Sequence, residues 1–346
     1  FVPLSFRPGE AFQFDWSEDF AVLGGERTKL QVAHIKLSHS RAFLVRAYLL
    51  QTHEMLFDAH WHGFRVFGGI PERGIYDNMR TAVDRVGRGK ERQVNMRFLA
   101  MANHYVFEPA FCNPAAGWEK GQIEKNVQDS RHRLWQPMPD FPDLAALNDW
   151  LEQQCVALWG DIPHAALPGS VADVWAAERT ALMPLPPAFD GFVEHSKRVS
   201  PTCLISFERN RYSVPASFAN RPVSLRVYPD KLVVAAEGQI LCEHARVIER
   251  SHQLPPRTIY DWRHYLAVLQ RHYATARPLR NSLRPSNSCK TSCCAVLAVI
   301  GKWSISWRWF CITMNRPCWS PWKWPWQRAS QPRAGDVHGR LTCAWV

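Results

Sequence analysis

Polar and apolar positions change their period several times along this chain, and each change marks an element. In Ala11-Phe12-Gln13-Phe14-Asp15-Trp16 the aromatic residues recur at every second position, which predicts a short strand, and Gly24-Gly25 supplies the turn after it. Leu30 to Leu37 alternates and Ala42 to Leu49 is apolar and β-prone, so Ser38-His39-Ser40 reads as a hairpin-like turn between two further strands. From Thr52 the spacing becomes helical, with Glu54 early in the segment and a stop at Gly68-Gly69. A brief fourth strand is expected over Arg73 to Asn78. After a basic loop at residues 88 to 92 come a helix over Arg97 to His104 and a fifth strand over Tyr105 to Cys112. Asn113-Pro114 is a turn, and a last helix runs from about Glu119 to Trp135. The order βββ-α-β-α-β-α predicts an α/β domain, a mixed sheet with helices packed on its faces.

Proline becomes frequent between about 137 and 190, where short helices over Asp143 to Leu158 and Val171 to Leu182 alternate with loops. Five short alternating strands follow at residues 203–207, 211–215, 223–228, 231–235 and 239–242, with tight turns at Pro229-Asp230 and Glu237-Gly238. That pattern predicts a small all-β barrel. The expected organisation is therefore a core at residues 1–136, a connecting segment at 137–198, the barrel at 199–248, a helical segment at 249–281 and a tail at 282–346.

The length of 346 residues suits about two domains. No apolar run approaches the roughly 18 residues of a membrane helix. The start, from Phe1 to Glu10, has neither an initiator Met nor the basic-then-apolar order of a signal peptide, so the chain is expected to begin inside a longer reading frame. Charge is uneven. Residues 282–346 hold nine of the 42 Lys and Arg but one of the 31 Asp and Glu, so this tail carries eight of the formal eleven positive charges. It also holds six of the ten Cys and eight of the sixteen Trp, without a C-x-x-C pair or a metal-ligand spacing. The genetic code explains such a composition: Trp is encoded by TGG alone, and TGG read one base earlier becomes NTG, which encodes Leu, Met or Val. The tail therefore reads as a Leu/Val-rich helical segment thrown out of frame, with the break between about 270 and 290. The competing reading is a basic aromatic platform for single strands.

Three carboxylates carry the candidate chemistry. Asp15 lies mid-strand among Phe12, Phe14 and Trp16, where an ionised side chain is costly unless paired or metal-bound. Asp77 ends a second strand, and Glu124 lies on the last core helix. On that helix Ile123, Val127, Ser130 and Leu134 form the expected inward stripe, with Lys120, Glu124, Gln128 and Arg131 beside it. Such a set can hold divalent cations through oxygen ligands while the basic residues meet phosphate. A lone Asp at a strand end more often caps a turn, and Glu18, Asp19, Asp84 and Asp129 compete for the same roles. His53, His60 and His62 are not read as a zinc site, because helical residues two apart point in different directions.

The blocks Pro8-Gly9-Glu10 with Gln13-Phe14-Asp15-Trp16, then Tyr76-Asp77-Asn78, then Asn113-Pro114 with Lys120-Gly121-Gln122-Ile123-Glu124 resemble, in order and in context, the signatures of DDE transposases of the retroviral-integrase superfamily. Within it they are most similar to the IstA-type transposases of insertion sequences, over residues 3 to 270. The stretch from Asn210 to Pro215 resembles the small barrel that follows the core in Mu-like transposases. The resemblance implies a ribonuclease H-like core in a cytoplasmic bacterial protein, with Asp15, Asp77 and Glu124 as metal-binding catalytic triad. It implies two Mg²⁺ per site, replaceable by Mn²⁺, cleavage at element ends, and strand transfer to target DNA without a covalent enzyme intermediate. Asn78 would orient a metal ligand, and Lys120, Lys125, Arg131 and Arg133 would bind phosphates, with Arg85, Arg88, Lys90 and Arg92 as a further basic loop. An IstB-type ATPase and self-association on DNA are the implied partners. The family carries a helix-turn-helix region ahead of the core and helices behind the barrel, so the expected object is a truncated or degraded copy. A metal-dependent nuclease and a catalytically silent DNA-binding remnant are the competing readings.

Overall fold

The computed structural model describes residues 5–77, 79, 82–86, 92–112, 121–248 and 255–269, all within one compact unit, Phe1–Tyr273. The helical segment beyond 269 and the whole Trp-rich tail lie outside the described residues, as do Asn78, Lys120, Arg88 and Lys90.

Three antiparallel strands open the chain: β1 (Ala11–Leu23), β2 (Glu26–Leu37) and β3 (Phe43–Tyr48). After α1 (His53–Phe67) come β4 (Arg73–Tyr76), the hairpin of β5 (Val83–Val86) and β6 (Arg92–Val94), then α2 (Met96–Tyr105) and β7 (Glu108–Phe111). The sheet order is β3-β2-β1-β4-β7, with β4 and β7 parallel to β1, and β8 (Asp140–Phe141) pairs with the far end of β1. α3 (Gly121–Leu134) crosses the face opposite α1.

β1 is 13 residues long, far longer than its aromatic start predicts, because Ser17, Glu18 and Asp19 continue the ladder against β2 although they interrupt the apolar run. Its two faces differ. Phe12 and Phe14 face α1, where Phe12 meets Phe64 edge-on at 5.2 Å and Phe14 stacks on His60 at 4.8 Å. Gly74 is required on this side, since a Cβ there would come within 2.6 Å of Phe12 Cζ. His60 is a core residue: Nδ1–H donates to the Leu56 carbonyl at 2.7 Å, Nε2 sits 2.8 Å from the Tyr76 hydroxyl, and burial pushes its pKa down to about 4.

The proline-rich span expected to be a connector instead completes the core. α4 (Leu144–Asp161) buries Leu147, Leu151, Cys155 and Trp159. Asn148 accepts from Ala47 N at 2.7 Å and donates to Ala47 O at 2.9 Å, and Trp159 Nε1–H donates to Phe43 O at 2.9 Å. Side chains of a helix thus satisfy edge-strand groups of β3 that would otherwise be open to another chain. α5 (Val171–Glu178) follows behind a Ser170–Asp173 capping box. Its last residue, buried Glu178, accepts from Gly9 N at 3.0 Å and Ser40 N at 2.9 Å.

The β unit begins at Val193, before the expected boundary at 199, with β9 (Val193–Arg198). This strand escapes notice in sequence because it is an edge strand with no fully buried residue. β10 (Leu204–Phe207), β11 (Asn210–Ser213), β12 (Pro222–Val227), β13 (Lys231–Ala236) and β14 (Gln239–Ala245) follow as expected, and β15 (Thr258–Ile259) adds to β11. They form a four-stranded sheet β14-β13-β12-β9 and a three-stranded sheet β10-β11-β15 around Ile205, Tyr212, Leu225, Leu232 and Val234. Arg246, just after β14, reaches back to α1. Its guanidinium binds Glu54 at 2.7 Å and Glu208 at 2.6 and 3.1 Å, with the Arg246 and Glu54 side chains almost wholly buried. No described helix is long and apolar enough to cross a membrane.

Candidate active site

The second face of β1 carries Gln13, Asp15, Ser17 and Asp19 beneath α3. Two-residue periodicity alone places them together. Asp15 is half-buried, and its Oδ1 accepts from Trp16 N at 3.0 Å.

β4 brings in the second carboxylate through register. Ala11 pairs with Arg73, Phe12 with Gly74 and Gln13 with Ile75, a constant offset of 62 residues. Asp15 and Asp77 are separated by the same 62 positions, so continuing that offset two residues past the last pair, Gln13–Ile75, would bring them level. Both share the parity of Gln13 and Ile75, opposite to the Phe12–Gly74 side packed on α1. Asp77 lies one residue past β4 and is exposed, at the strand's carboxyl end, where open sheets hold ligands.

The third carboxylate arrives on α3. Buried Gln13 uses its side-chain carbonyl to accept from Ile123 N at 3.1 Å, satisfying one of the first-turn N–H groups that a helix leaves without an internal partner. The residue two before Asp15 is thereby tied to the residue before Glu124. The Glu124 backbone belongs to α3, while its side chain lies outside the described residues.

Helix α3 presents the faces that its spacing predicts. Ile123, Ser130 and Leu134 are buried, and Lys125, Gln128, Arg131 and Arg133 are exposed. Arg131 is already engaged: Nε–H donates to Asp19 at 3.1 Å and Nη2–H to the Glu18 carbonyl at 3.0 Å, so a phosphate at this position competes with an ion pair. Burial raises the Asp19 pKa, and the Arg131 guanidinium opposes that rise. Lys36 on β2 sits under the same helix; burial, reinforced by Arg41, brings its pKa down to about 8, with Asp129 opposing.

Sequence reasoning missed the polar residues packed around this face. His34 pairs with Asp15 in the β1–β2 ladder, is fully buried, and holds Ser17 Oγ at 2.9 Å from Nε2. Burial pushes its pKa down to about 3, so it is neutral. Asn126 is buried one turn from Ile123 on α3. Gln13 Nε2 and Asn126 Nδ2 are buried donors without a partner among the described residues, an arrangement suited to carboxylate oxygens. The available signal was alternation: a polar residue at each of positions 13, 15, 17 and 19 marks one face of the strand.

Residues 185–254 match the family model described as Mu transposase, C-terminal domain. The chain is 75% identical over 271 residues to a transposase of Aminobacter aminovorans, covering 78% of this chain and 53% of that protein. It is 64% identical, over the same length, to the Pseudomonas aeruginosa transposase for insertion sequences IS1326/IS1353, covering 54% of it. Over the matched residues the chain is similar to transposases of insertion sequences. To the transposase of element IS21 of Pseudomonas aeruginosa it is 30% identical over 245 residues, 70% of this chain and 63% of that one. The chain thus spans about half the length of the curated relatives it matches most strongly. Among solved structures, a simian T-cell lymphotropic virus intasome chain aligns at 9% identity and TM-score 0.40, covering 72% of this chain and 83% of that one. The HTLV-2 integrase catalytic core solved with magnesium aligns at 11% and 0.36, covering 49% and 97%. The expected α/β mixed sheet with helices on its faces, followed by a small β unit, is the architecture observed.

Proposed function

We propose that the chain carries the catalytic core of a DNA transposase in which Asp15, Asp77 and Glu124 form one metal-binding set. The observation that supports this best is the coincidence of two numbers: the β1–β4 register offset equals the Asp15–Asp77 spacing, beside a helix pinned by Gln13. The donor set is all carboxylate oxygen, which suits a hard cation such as Mg²⁺, with Mn²⁺ as substitute, rather than a thiophilic ion. When bound, a pair of such ions supplies Lewis-acid activation of water or a 3′-hydroxyl and neutralises charge at the scissile phosphate.

The chain's own residues do the rest. Asp15 and Asp77 hold their positions through the sheet, and Glu124 through the Gln13–Ile123 bond. Asn78, next in sequence to Asp77, orients a ligand, while Lys120, Lys125 and Arg133 bind the DNA backbone and Arg131 does so after releasing Asp19. The reaction is cleavage at element ends followed by strand transfer to target DNA, in the bacterial cytoplasm. Self-association on DNA and an IstB-type ATPase are the proposed partners.

The test is strand transfer with pre-cut element ends in Mg²⁺ or Mn²⁺. Joined product is expected from the parent chain. Asp15→Asn, Asp77→Asn and Glu124→Gln should each lower joining by about a hundredfold or more, beyond what loss of a supporting residue costs, while DNA retention on filters is unchanged. Cutting without joining would mean a nuclease, and identical behaviour of parent and Asp15→Asn would mean a silent DNA-binding protein; either removes the proposal.

A further inference from the structure

The β unit contains a second cluster of ligand-type side chains, remote in sequence from the carboxylates and of different chemistry. Cys242 and His244 alternate on β14, so both point to the same face of the sheet. His264 comes from the 3-10 turn Trp262–Tyr265, which follows β15. One ring nitrogen of each histidine and the Cys242 sulfur lie within 4.8 Å of one another. A tetrahedral zinc ion, with Zn–N of about 2.0 Å and Zn–S of about 2.3 Å, needs its ligands ~3.5 Å apart, a contraction within the reach of side-chain rotation.

Supporting groups surround the cluster. Ser213 Oγ accepts from Asp261 N at 2.8 Å and lies 2.9 Å from His264 Nδ1. With Nδ1–H donating to that hydroxyl, His264 Nε2 carries the lone pair, the arrangement by which a neighbouring residue fixes the tautomer of a metal-bound histidine. Asp261 Oδ2 stands 3.9 Å from the same Nε2. His244 is nearly buried; its Nε2 lies 3.8 Å from Cys242 Sγ and, without metal, Nε2–H donates to the Ser213 carbonyl at 2.7 Å, a bond that coordination through Nε2 would break. Two histidines, a thiol and an adjacent carboxylate are borderline-soft donors, which select zinc over Mg²⁺.

We propose that Cys242, His244 and His264 form a zinc-class metal site, with Asp261 or water as fourth ligand, that staples the segment 258–265 to the β unit. Without metal that segment is held by a two-residue parallel pairing, the Ser213 hydrogen bonds and a bond from the Tyr265 hydroxyl to the Thr202 carbonyl at 3.1 Å. Coordination through Cys242 transfers one proton from the thiol to solvent as the sulfur–metal bond forms.

Cobalt(II) makes the test visible in the full chain, with the six cysteines beyond residue 282 replaced by serine to remove their background. The chelator-stripped protein should take up one equivalent of Co²⁺ with a thiolate-to-cobalt charge-transfer band. That band should vanish in Cys242→Ser and persist in Cys203→Ser, and affinity should fall at least about tenfold in His264→Gln. Zn²⁺ should displace the cobalt and raise the Tm of the parent. No charge-transfer band in the parent, a band that survives Cys242→Ser, or a parent Tm indifferent to Zn²⁺ would each overturn the site. None of these readouts depends on catalytic activity, so the carboxylate assignment stands or falls separately.

Discussion

Helix α1 and helix α3 pack on opposite faces of the same strand, and the polar groups near them are handled in opposite ways. On the α1 side the ionic groups around Glu54 form a closed set, with Arg246 held also by Glu208 and the Tyr228 carbonyl, and neutral His60 has a partner at each nitrogen, while Thr52 Oγ1 at the start of α1 is a buried atom without a partner among the described residues. On the α3 side Gln13, Asn126, Ser130 and His34 each bury a polar atom with no partner among the described residues, next to a half-buried Asp15 and an exposed Asp77. A closed network holds elements together. An open one built from donors and carboxylates stands ready for something that is not protein, and the fold tolerates its cost because the closed side is so well packed.

The comparison breaks most readily at Arg246. Arg246→Met strands two carboxylates, one of them buried, and should lower the unfolding free energy by about 3–5 kcal/mol in urea titration, with much of the loss recovered in the Glu54→Gln/Arg246→Met double variant. Equal stability of parent and single variant would show that the junction contributes nothing. On the open face the balance should invert. Asp15→Asn is expected to leave stability within about 1 kcal/mol of the parent, or raise it slightly, since it removes a charge from a half-buried site, while abolishing joining activity.

Acid should distinguish the two faces less sharply, because each has a buried neutral histidine. His34 and His60 have folded-state pKa values near 3 and 4, below the ordinary 6.5 of the unfolded chain. The unfolded state therefore binds more protons between these limits. Stability is full above about 6.5 and falls as pH drops toward 4, by up to about 1.4 kcal/mol per pH unit for each histidine. His34→Gln should flatten that slope, and an unchanged slope would remove His34 from the account. Gln13→Ala should cost about 1 kcal/mol through the lost Ile123 bond but reduce joining 10- to 100-fold by loosening the start of α3. The smallest effect is expected at Arg131→Ala, where a half-exposed pair with Asp19 contributes at most about 1 kcal/mol.

Much of this contrast was legible in the sequence, and the failures have physical causes. α1 and β12 follow periodicity closely, because one face of each is buried and the other is not, while β3 and β13 are legible as apolar runs, since both of their faces are buried. The length of β1 was hidden by Ser17, Glu18 and Asp19, which look like a loop although Ser17 and Asp19 belong to the face beneath α3 and Glu18 to the opposite, exposed side. The basic stretch around residue 90 reads as a loop in sequence, yet β5 and β6 flank it, since two very short strands carry too few residues to show a period. Asp15, Asp77 and Glu124 were separable from competing acids only by resemblance; the 62-residue offset of the β1–β4 ladder, whose continuation would align the first two, is a property of the folded sheet. Cys242, His244 and His264 gave no signal, because the third member is brought in by a turn 20 residues away rather than by a spaced motif.

The proposed convergence of Asp15, Asp77 and Glu124 on common ions is tested most directly by loading the protein with Fe²⁺ and generating hydroxyl radicals with ascorbate and peroxide. Backbone cuts should appear near residues 15, 77 and 124 together, be suppressed by excess Mg²⁺, and disappear from all three places at once in Asp15→Asn. Cuts confined to one of these segments, or undiminished in Asp15→Asn, would contradict the account.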